Sequence, residues 1–264
     1  MIIDVHTHVS PDKIAGKVEA GLRTKGLPVC GPITLSGLKR HMLECGLEAA
    51  ITFCIAEKPS VVGPANDFII GLNDGKSLYG FGTILPDVDN PVSEVRRLRD
   101  NGIKGIKFHA SFQGHGVCDE SMFPIYEEMG SDMVAFFHSG KDPADPDKPA
   151  LTTPRGISSL KSLFPGLTIV AAHLGGHDML DDVKKWILGK DIYIDTSWTP
   201  DIRAVSPELV MDIIKHHGIS RVLFGTDYPT VSDPKVEIEW LRNLPLSDKE
   251  RAMLFHDNAA TLLK

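Results

Sequence analysis

The chain has 264 residues, of which 42% are hydrophobic and 24% are charged, and its formal net charge at pH 7 is −7. These proportions are those of an ordinary globular protein and exclude a disordered or low-complexity chain. The acidic balance and the absence of clustered Lys and Arg argue against a nucleic-acid-binding protein. The length favours one α/β domain over two small ones, so we predict a single domain over residues 1–264.

Eight short apolar runs rich in β-branched and aromatic residues predict strands. They are residues 1–6, 47–55, 78–85, 102–109, 133–138, 167–173, 192–197 and 221–227. Helical segments separate them, and strands that alternate with helices pair in parallel. At this length we favour a (β/α)8 TIM barrel over an open doubly wound sheet. No G-x-G-x-x-G follows the first strand, which removes the dinucleotide-binding variant of that alternative.

Helical spacing and start signals place helices between these strands. Clear examples are residues 34–46, 91–102, 153–166, 178–189 and 206–218. We predict Asp178 and Ser206 as N-caps. Residues 246–263 predict one or two additional C-terminal helices. Residues 9–33 and 139–153 are predicted as long irregular loops over the mouth of the barrel, where TIM barrels carry their chemistry.

Cysteine usage and hydropathy indicate where the protein acts. The four cysteines are widely spaced and form no C-x-x-C pair, which favours reduced thiols in a cytoplasmic protein. The chain has no basic segment followed by an apolar leader, and no apolar span of 18 residues. We therefore expect neither export nor membrane insertion.

Metal-binding residue types stand at the carboxyl ends of several predicted strands. They are His6 and His8 on the first strand, His109, His138 and His173 on the fourth to sixth, and Asp227 on the eighth. A barrel brings these ends to one rim. Imidazole and carboxylate groups suit Zn²⁺ or a similar divalent ion with one position open for water. The metal would lower the pKa of that water, and Asp227 could accept its proton.

Several motifs resemble the amidohydrolase superfamily, specifically its amidohydrolase-2 branch. The motifs are IDVHTH, GIKGIKFHASFQ, AFFHSG, PGLTIVAAHLGG, LFGTDYP and the closing NAATLL, and they span nearly the whole chain in family order. The resemblance implies that the primary metal ligands are His6, His8, His138 and Asp227. It also implies that His173 is a second-site ligand or a catalytic group that contacts the substrate.

Strand four leaves two possibilities open. Lys107 and His109 are two residues apart on one face, so either could reach the site and the substrate. Some relatives place a carboxylated lysine or a glutamate there to bridge two metals. We expect one ion, most simply Zn with Mn or another divalent metal also suitable, and we keep a second ion as the alternative. Trp198, after strand seven, is a candidate for substrate binding or for surface packing.

Three further residues have weaker assignments. On the alternation of strand one, Asp4 shares a face with His6 and is predicted to point inward as a hydrogen-bond partner behind the ligands. His115 and His177 lie on loops at the mouth, where solvent exposure is the default and substrate contact is the alternative.

The predicted function is a metal-dependent hydrolase that cleaves an amide, lactone or related C–N or C–O bond of a small molecule. In this reaction Asp227 would carry the proton to the leaving group. The alternative is a lyase of the same branch, a non-oxidative decarboxylase or hydratase, in which Asp227 or His173 would protonate carbon. A decarboxylase needs a cation for the substrate carboxylate, and Lys58, Lys141 and Arg155 are candidates by position.

A third hypothesis, a non-catalytic metal-binding or scaffold protein, predicts missing ligands, and none is missing. We expect a small-molecule substrate and neither nucleic acid nor membrane as a partner. A homo-oligomer is left open.

Overall fold

Eight parallel strands form the centre of the computed structural model, which describes residues 1–264. Their bounds are β1 Ile3–His8, β2 Ala49–Phe53, β3 Leu78–Thr83, β4 Gly105–Phe108, β5 Val134–Phe137, β6 Thr168–Ala171, β7 Tyr193–Asp195 and β8 Val222–Leu223. Each strand pairs with the next one in the chain. The strand order and the helices between the strands confirm the predicted (β/α)8 barrel.

Backbone hydrogen bonds join the first strand to the last. The Val5 N–H donates to Phe224 O at 2.9 Å, and the His8 N–H donates to Tyr228 O at 2.7 Å. In the other direction, the Asp227 N–H donates to His6 O at 2.9 Å. The two ends of the chain that carry candidate metal ligands are therefore held side by side.

Twelve helices surround the barrel and extend past its last strand. Their bounds are α1 Asp12–Thr24, α2 Leu35–Cys45, α3 Pro59–Leu72, α4 Pro91–Asp100, α5 Ala110–Gln113, α6 Phe123–Met129, α7 Pro154–Leu163, α8 Leu180–Trp186, α9 Pro207–His217, α10 Pro234–Arg242, α11 Asp248–Ala252 and α12 Asn258–Leu262. A π-helical turn, Met253–Asp257, joins α11 to α12. These helices lie within the segment predicted to form additional C-terminal helices. No helix combines the length and the apolar character that a membrane span needs.

Side-chain caps mark the start of several helices. The Thr34 hydroxyl accepts the Gly37 N–H at 3.0 Å, and the Ser206 hydroxyl accepts the Leu209 N–H at 3.2 Å, as expected for N-caps. The prediction for Asp178 is wrong. The N-cap of α8 is Met179, because Asp178 has a φ of 51° and belongs to the turn that follows β6.

The prediction of an irregular loop over residues 9–33, after β1, is also wrong in part. Residues Asp12–Thr24 form the helix α1. Gly16 and Gly21 lower its helix propensity and hide the pattern. The signal that was available is the spacing of Ile14, Val18 and Leu22, four residues apart, which places them on one helical face.

Residues 139–153 form no helix and no regular strand, as predicted. The segment is fixed to the loop after β6 by a bridge between Gly140 and His177. Gly140 has a φ of 91°, and a Cβ there would lie 2.2 Å from the backbone nitrogen of His177. Only glycine allows the two loops to approach this closely.

Two apolar clusters form the core. The larger lies between the strands and the helices. The smaller fills the barrel with alternate strand residues such as Ile51, Phe53, Phe81 and Phe136, and includes Leu263 from the C-terminal helices. Full burial of one such aromatic side chain stabilises the fold by about 1.5–3 kcal/mol. The interior is therefore packed, and the chemistry is confined to the carboxyl ends of the strands.

A break in the register of β1 changes the direction of its side chains. Asp4 pairs with Ala50 and Thr7 pairs with Thr52, so β1 has one extra residue in this interval. Ile3 and Val5 face the barrel interior, and the His6 ring also contacts interior phenylalanines, Phe53 at 5.3 Å between centroids. The prediction that Asp4 points inward with His6 is wrong, because strict alternation does not hold across the bulge.

Candidate metal centre

His6, His8 and Asp227 form a compact group at the mouth of the barrel. His6 Nε2 lies 3.2 Å and His8 Nε2 lies 3.1 Å from the same oxygen, Asp227 Oδ1. One donor atom from each residue lies within 4.8 Å of the others. Two imidazoles and one carboxylate are a donor set that divalent transition metals accept. The geometry therefore fits one divalent ion at this position.

Asp195, at the end of β7, orients His6 and was missed by the sequence reasoning. His6 Nδ1–H donates to Asp195 Oδ2 at 2.8 Å, which leaves Nε2 with a free lone pair facing Asp227. A carboxylate behind a ligating histidine is the usual second partner in metal sites. The available signal was the position of Asp195 in IYIDTS, the same strand-end position that the candidate histidines occupy.

Asp195 also organises the loops that follow β6 and β7. Its Oδ1 accepts the His173 N–H at 2.8 Å, the Ser197 N–H at 3.1 Å and the Ser197 hydroxyl at 2.6 Å. The donor atoms of His6, His173 and Asp195 are close enough to form a second metal-binding group. Because hydrogen bonds already join Asp195 to both histidines, this group is better described as support for His6.

The electrostatics of the group suit a metal site. Burial lowers the pKa of His8 to about 4, so its ring is neutral and can donate a lone pair. Burial alone would raise the pKa of Asp227, but the nearby His6 and the hydrogen bond with His8 outweigh it and hold that pKa well below its ordinary value. Neutral imidazoles and an anionic carboxylate are the protonation states that a metal ion requires.

Asp4 fastens β1 to the segment that carries Asp227. Its carboxylate accepts the His6 N–H at 3.0 Å, the Thr226 N–H at 3.1 Å and the Thr226 hydroxyl at 2.6 Å. His41 lies on α2, outside the barrel, and its Nε2 is 3.3 Å from Asp4 Oδ2. Asp4 is thus a hydrogen-bond partner behind the ligands, as predicted, but it acts from the outer side of the strand.

Asp227 has an unusual backbone conformation, and a threonine holds its carboxylate. Asp227 has a φ of 66° and His173 a φ of 62°, values that non-glycine residues seldom adopt. Such strain concentrates at functional sites. The Thr199 hydroxyl donates to Asp227 Oδ2 at 2.5 Å, so one carboxylate oxygen is held and the other faces the histidines.

His138 and His173 form a pair beside this group. His138 Nδ1 lies 2.9 Å from His173 Nε2, His138 Nε2 lies 3.1 Å from Lys141 O, and His173 Nδ1 lies 3.2 Å from Ser197 O. Two neutral imidazoles have only two N–H groups for these three contacts. Burial lowers both pKa values, that of His138 to about 3. One contact therefore lacks a proton, and the pair is not fully satisfied.

The structure does not group His138 with His6, His8 and Asp227. Both of its ring nitrogens face other partners, so ligation of the same ion would require one of them to leave its partner, either His173 Nε2 or Lys141 O. The assignment of His138 as a fourth ligand stays a prediction.

Lys107 lies beneath the ligands rather than in the cavity. Its Nζ is 3.0 Å from His6 Nε2 and lies over the Phe53 and Phe136 rings. Burial lowers the pKa of Lys107 to about 8, so its charge is lost more readily than that of an ordinary lysine. A metal at His6 Nε2 would replace Lys107 as its partner, and two adjacent cations repel each other.

His109 is the strand-four residue that reaches the cavity. Its ring is stacked between Phe112, at 3.9 Å, and His138, at 4.2 Å. Its backbone N–H donates to Gln113 Oε1 at 2.9 Å. His109 Nδ1 is buried and has no hydrogen-bond partner. A buried polar atom without a partner is uncommon in folded proteins.

A cavity of about 660 Å³ opens above these residues. His6, His8, His109, His138, His173 and Asp227 all line it. Of the three proposed cations, Lys58 lines the cavity, whereas Lys141 and Arg155 do not, and Arg155 lies over the Trp186 ring instead. The side wall is α1 together with its C-cap residue Lys25, and Lys17 of the helix also lines the cavity. The sequence reasoning missed these two because it treated their segment as a loop.

Trp198 and His177 pack against each other away from the cavity. Their rings are stacked at 4.4 Å, both residues are buried, and neither lines the cavity. The expected exposure of His177 is wrong, because its Nε2–H donates to Thr199 O at 2.8 Å beneath the loop after β7. The geometry of Trp198 agrees with its packing alternative rather than with substrate binding.

Comparisons with known proteins agree with this fold. The family model described as Amidohydrolase matches residues 3–264. The structure is similar to 5-carboxyvanillate decarboxylase from Novosphingobium aromaticivorans, which was solved with manganese and 4-hydroxy-3-methoxy-5-nitrobenzoic acid (TM-score 0.76, 16% identity, covering 100% of this chain and 96% of that one). It is also similar to 2,6-dihydroxybenzoate decarboxylase from Rhizobium (TM-score 0.73, 16% identity, covering 99% and 98%).

A third similar structure is a TIM-barrel protein from Bordetella bronchiseptica (TM-score 0.71, 19% identity, covering 99% of this chain and 98% of that one). No curated protein sequence matches the chain. At these identities the likeness of the structures shows a shared fold, whereas the family match extends over nearly the whole chain. The chain therefore belongs to the amidohydrolase family, in its amidohydrolase-2 branch.

Proposed function

We propose that the protein is a metal-dependent, non-oxidative decarboxylase of a small carboxylated molecule. The observation that carries this proposal is the His6, His8 and Asp227 group at the floor of a cavity large enough for an organic substrate. Two similar structures belong to enzymes named as decarboxylases of hydroxylated benzoates, and one of them contains manganese. These likenesses favour the lyase alternative over the hydrolase that the sequence analysis placed first.

The first role is metal binding, which we assign to His6, His8 and Asp227. A bound divalent ion, Mn²⁺ or Zn²⁺, would orient the substrate carboxylate and stabilise negative charge that develops on the substrate. Asp195 keeps His6 Nε2 free of its proton by accepting the Nδ1–H, and Asp4 holds the backbone of His6. These contacts position the ligands before any ion arrives.

The second role is proton transfer to carbon. Loss of carbon dioxide leaves an electron pair on the substrate carbon, and that carbon must take up a proton. Asp227 and His173 both line the cavity floor and can each carry a proton. Thr199 holds Asp227 Oδ2 and the Ser197 loop holds His173, so both groups keep a fixed direction toward the cavity.

The third role is substrate contact by His109. Its two ring faces are covered by Phe112 and His138, so only the ring edge is available. Burial lowers the pKa of His109 well below its ordinary value, which makes the ring a neutral hydrogen-bonding group. We assign it to a polar atom of the substrate.

Hydrolysis remains the second candidate because the matched family is described as Amidohydrolase. Asp227 Oδ1 lies close to both His6 and His8, where it could accept the proton of an attacking water. The same groups would then cleave an amide or a lactone instead of a carbon–carboxylate bond.

A substrate screen with two readouts separates the candidates. The protein loaded with Mn²⁺ or Zn²⁺ is given aromatic and aliphatic carboxylates while carbon dioxide is measured, and amides and lactones while acid release is measured. We expect carbon dioxide release that falls by at least about 100-fold in Asp227→Asn, the scale of general acid–base catalysis. Acid release without carbon dioxide would contradict the decarboxylase and support the hydrolase.

A further inference from the structure

Three lysines without ion-pair partners stand along one side of the cavity mouth. Lys17 and Lys25 belong to the α1 wall, and Lys58 is the N-cap residue of α3. All three are exposed, and none forms a salt bridge. Four other lysines of the chain are paired with carboxylates (Lys148, Lys161, Lys184 and Lys235), and others are unpaired but lie away from the cavity, so the position at the mouth is what distinguishes these three. The mouth thus holds free positive charge in a protein whose net charge is −7.

An apolar surface connects these lysines with the floor of the cavity. Ile14, Val18 and Leu22 form a stripe along α1, and Val61 of α3 also lines the cavity. Ile14 is 48% exposed and Val61 is 42% exposed, although both are large hydrophobic side chains. Exposed apolar surface beside a cavity is typical of a place that a ligand covers.

A row of stacked rings runs along the same cavity from the mouth to the metal site. Lys25 Nζ lies 4.9 Å from the centre of the Phe112 ring. Phe112 is stacked on His109, and His109 is stacked on His138. The cation at the mouth and the polar groups at the floor are therefore separated by the width of several side chains.

Two carboxylates besides Asp227 line the cavity, and they do not cancel the lysines. Asp142 is buried, its Oδ1 accepts the Ala144 N–H at 2.8 Å, and burial raises its pKa. Glu57 is exposed and is adjacent to Lys58 in the chain. The cations at the mouth outnumber these carboxylates, so the local charge favours an anionic group.

We propose that the substrate carries a second anionic group, separated from its reacting end by an apolar body, and that Lys17, Lys25 and Lys58 bind this group. The assignment of the reacting end rests on the proposed function. The assignment of the second anionic group rests only on the residues at the cavity mouth. The cavity volume of about 660 Å³ lies within the range of about 300–1,000 Å³ that is usual for small-molecule sites. Small dianions with an apolar centre are thus the substrate class.

Binding measurements test this proposal without any turnover. The metal-free and the Mn²⁺-loaded protein are titrated calorimetrically with matched pairs, benzoate against terephthalate and hexanoate against adipate. A further ligand, para-phosphonobenzoate, distinguishes a phosphate-like second anion from a carboxylate. The variant is K17Q/K25Q/K58Q. The control is K13Q/K39Q/K76Q, which changes three lysines that are also exposed and unpaired but do not line the cavity.

We expect at least one dianion to bind about fivefold or more tightly than its monoanion, since each exposed charge pair contributes modestly. The cavity variant should lose most of this ratio and the control should keep it. Raising the salt from about 20 mM to about 500 mM should also reduce the ratio, because the charges are solvent-exposed. Single Lys→Gln variants replace the triple variant if thermal unfolding shows that it does not fold.

Equal binding of dianions and monoanions would overturn the proposal. An unchanged ratio in the cavity variant, or an equal loss in the control, would overturn it as well. Failure of the proposed function looks different. If no carboxylate releases carbon dioxide while the ratio and its loss are observed, the anion site stands and the decarboxylase does not.

Discussion

The two sides of the barrel mouth differ in how completely their polar groups are paired. On the side of β7, β8 and β1, the residues Asp4, Asp195 and Asp227 each have hydrogen-bond partners on both carboxylate oxygens. On the β4 and β5 side, His109 Nδ1 has no partner, and His138 is held only by His173 and a backbone carbonyl. The first side is set before a ligand binds, and the second retains hydrogen-bonding capacity for one.

The largest expected effect tests the well-paired side through Asp4→Ala. This change leaves the His6 N–H, the Thr226 N–H and the Thr226 hydroxyl without their acceptor. An unpaired buried group costs about 1–3 kcal/mol, so unfolding by urea should show a loss of about 3 kcal/mol or more. Asp4→Asn keeps one acceptor oxygen and should lose less. A loss of less than about 1 kcal/mol in the free energy of unfolding of Asp4→Ala would show that the hydrogen bonds of Asp4 do not stabilise the fold.

An intermediate effect is expected at His138 on the other side. Because one of its ring nitrogens must leave its present partner to bind the ion, we expect His138→Ala to weaken Mn²⁺ affinity by about 10–100-fold, as for residues that support a metal site. His6→Ala should weaken it further. Equal losses in a metal titration would mean that His138 is a full ligand, and an unchanged affinity would exclude it from the site.

An effect that depends on pH concerns Glu237 on α10, behind β7 and β8. Its carboxyl group is buried and accepts the Ile202 N–H at 2.8 Å, and burial raises its pKa to about 9. Between its ordinary pKa and this value the folded chain keeps a proton that the unfolded chain has released. The stability therefore falls as the pH rises through this range.

Glu237→Gln should remove this loss because the amide is neutral and keeps an acceptor oxygen. The difference in Tm between the variant and the unmodified protein should grow from about pH 5 to about pH 8. Each kcal/mol of stability that the variant keeps should add roughly 2–4 °C to this difference. Glu239→Gln, at an exposed position on the same helix, is the control. Parallel Tm curves for Glu237→Gln and the unmodified protein would contradict the buried, protonated carboxyl.

The sequence could predict the barrel and the meeting of His6, His8 and Asp227, because both follow from alternation and from the closure of parallel strands. It could not predict the direction of Asp4, since the β1 bulge depends on pairing with β2. The helix α1 was missed because its glycines weaken a pattern that tertiary packing stabilises. Asp195 was missed because a strand-end aspartate becomes a partner of His6 only when closure of the barrel leaves β8 alone between β7 and β1.

We expect His6, His8 and Asp227 together to hold one divalent ion. The most direct test of this expectation is elemental analysis after loading with Mn²⁺ and gel filtration, applied to the unmodified protein, to His6→Gln and to His216→Gln. His216 is exposed on α9 and serves as the control. We expect about one ion per chain in the unmodified protein and in the control, and less than about 0.1 in His6→Gln. Full metal content in His6→Gln would place the ion elsewhere and contradict the account.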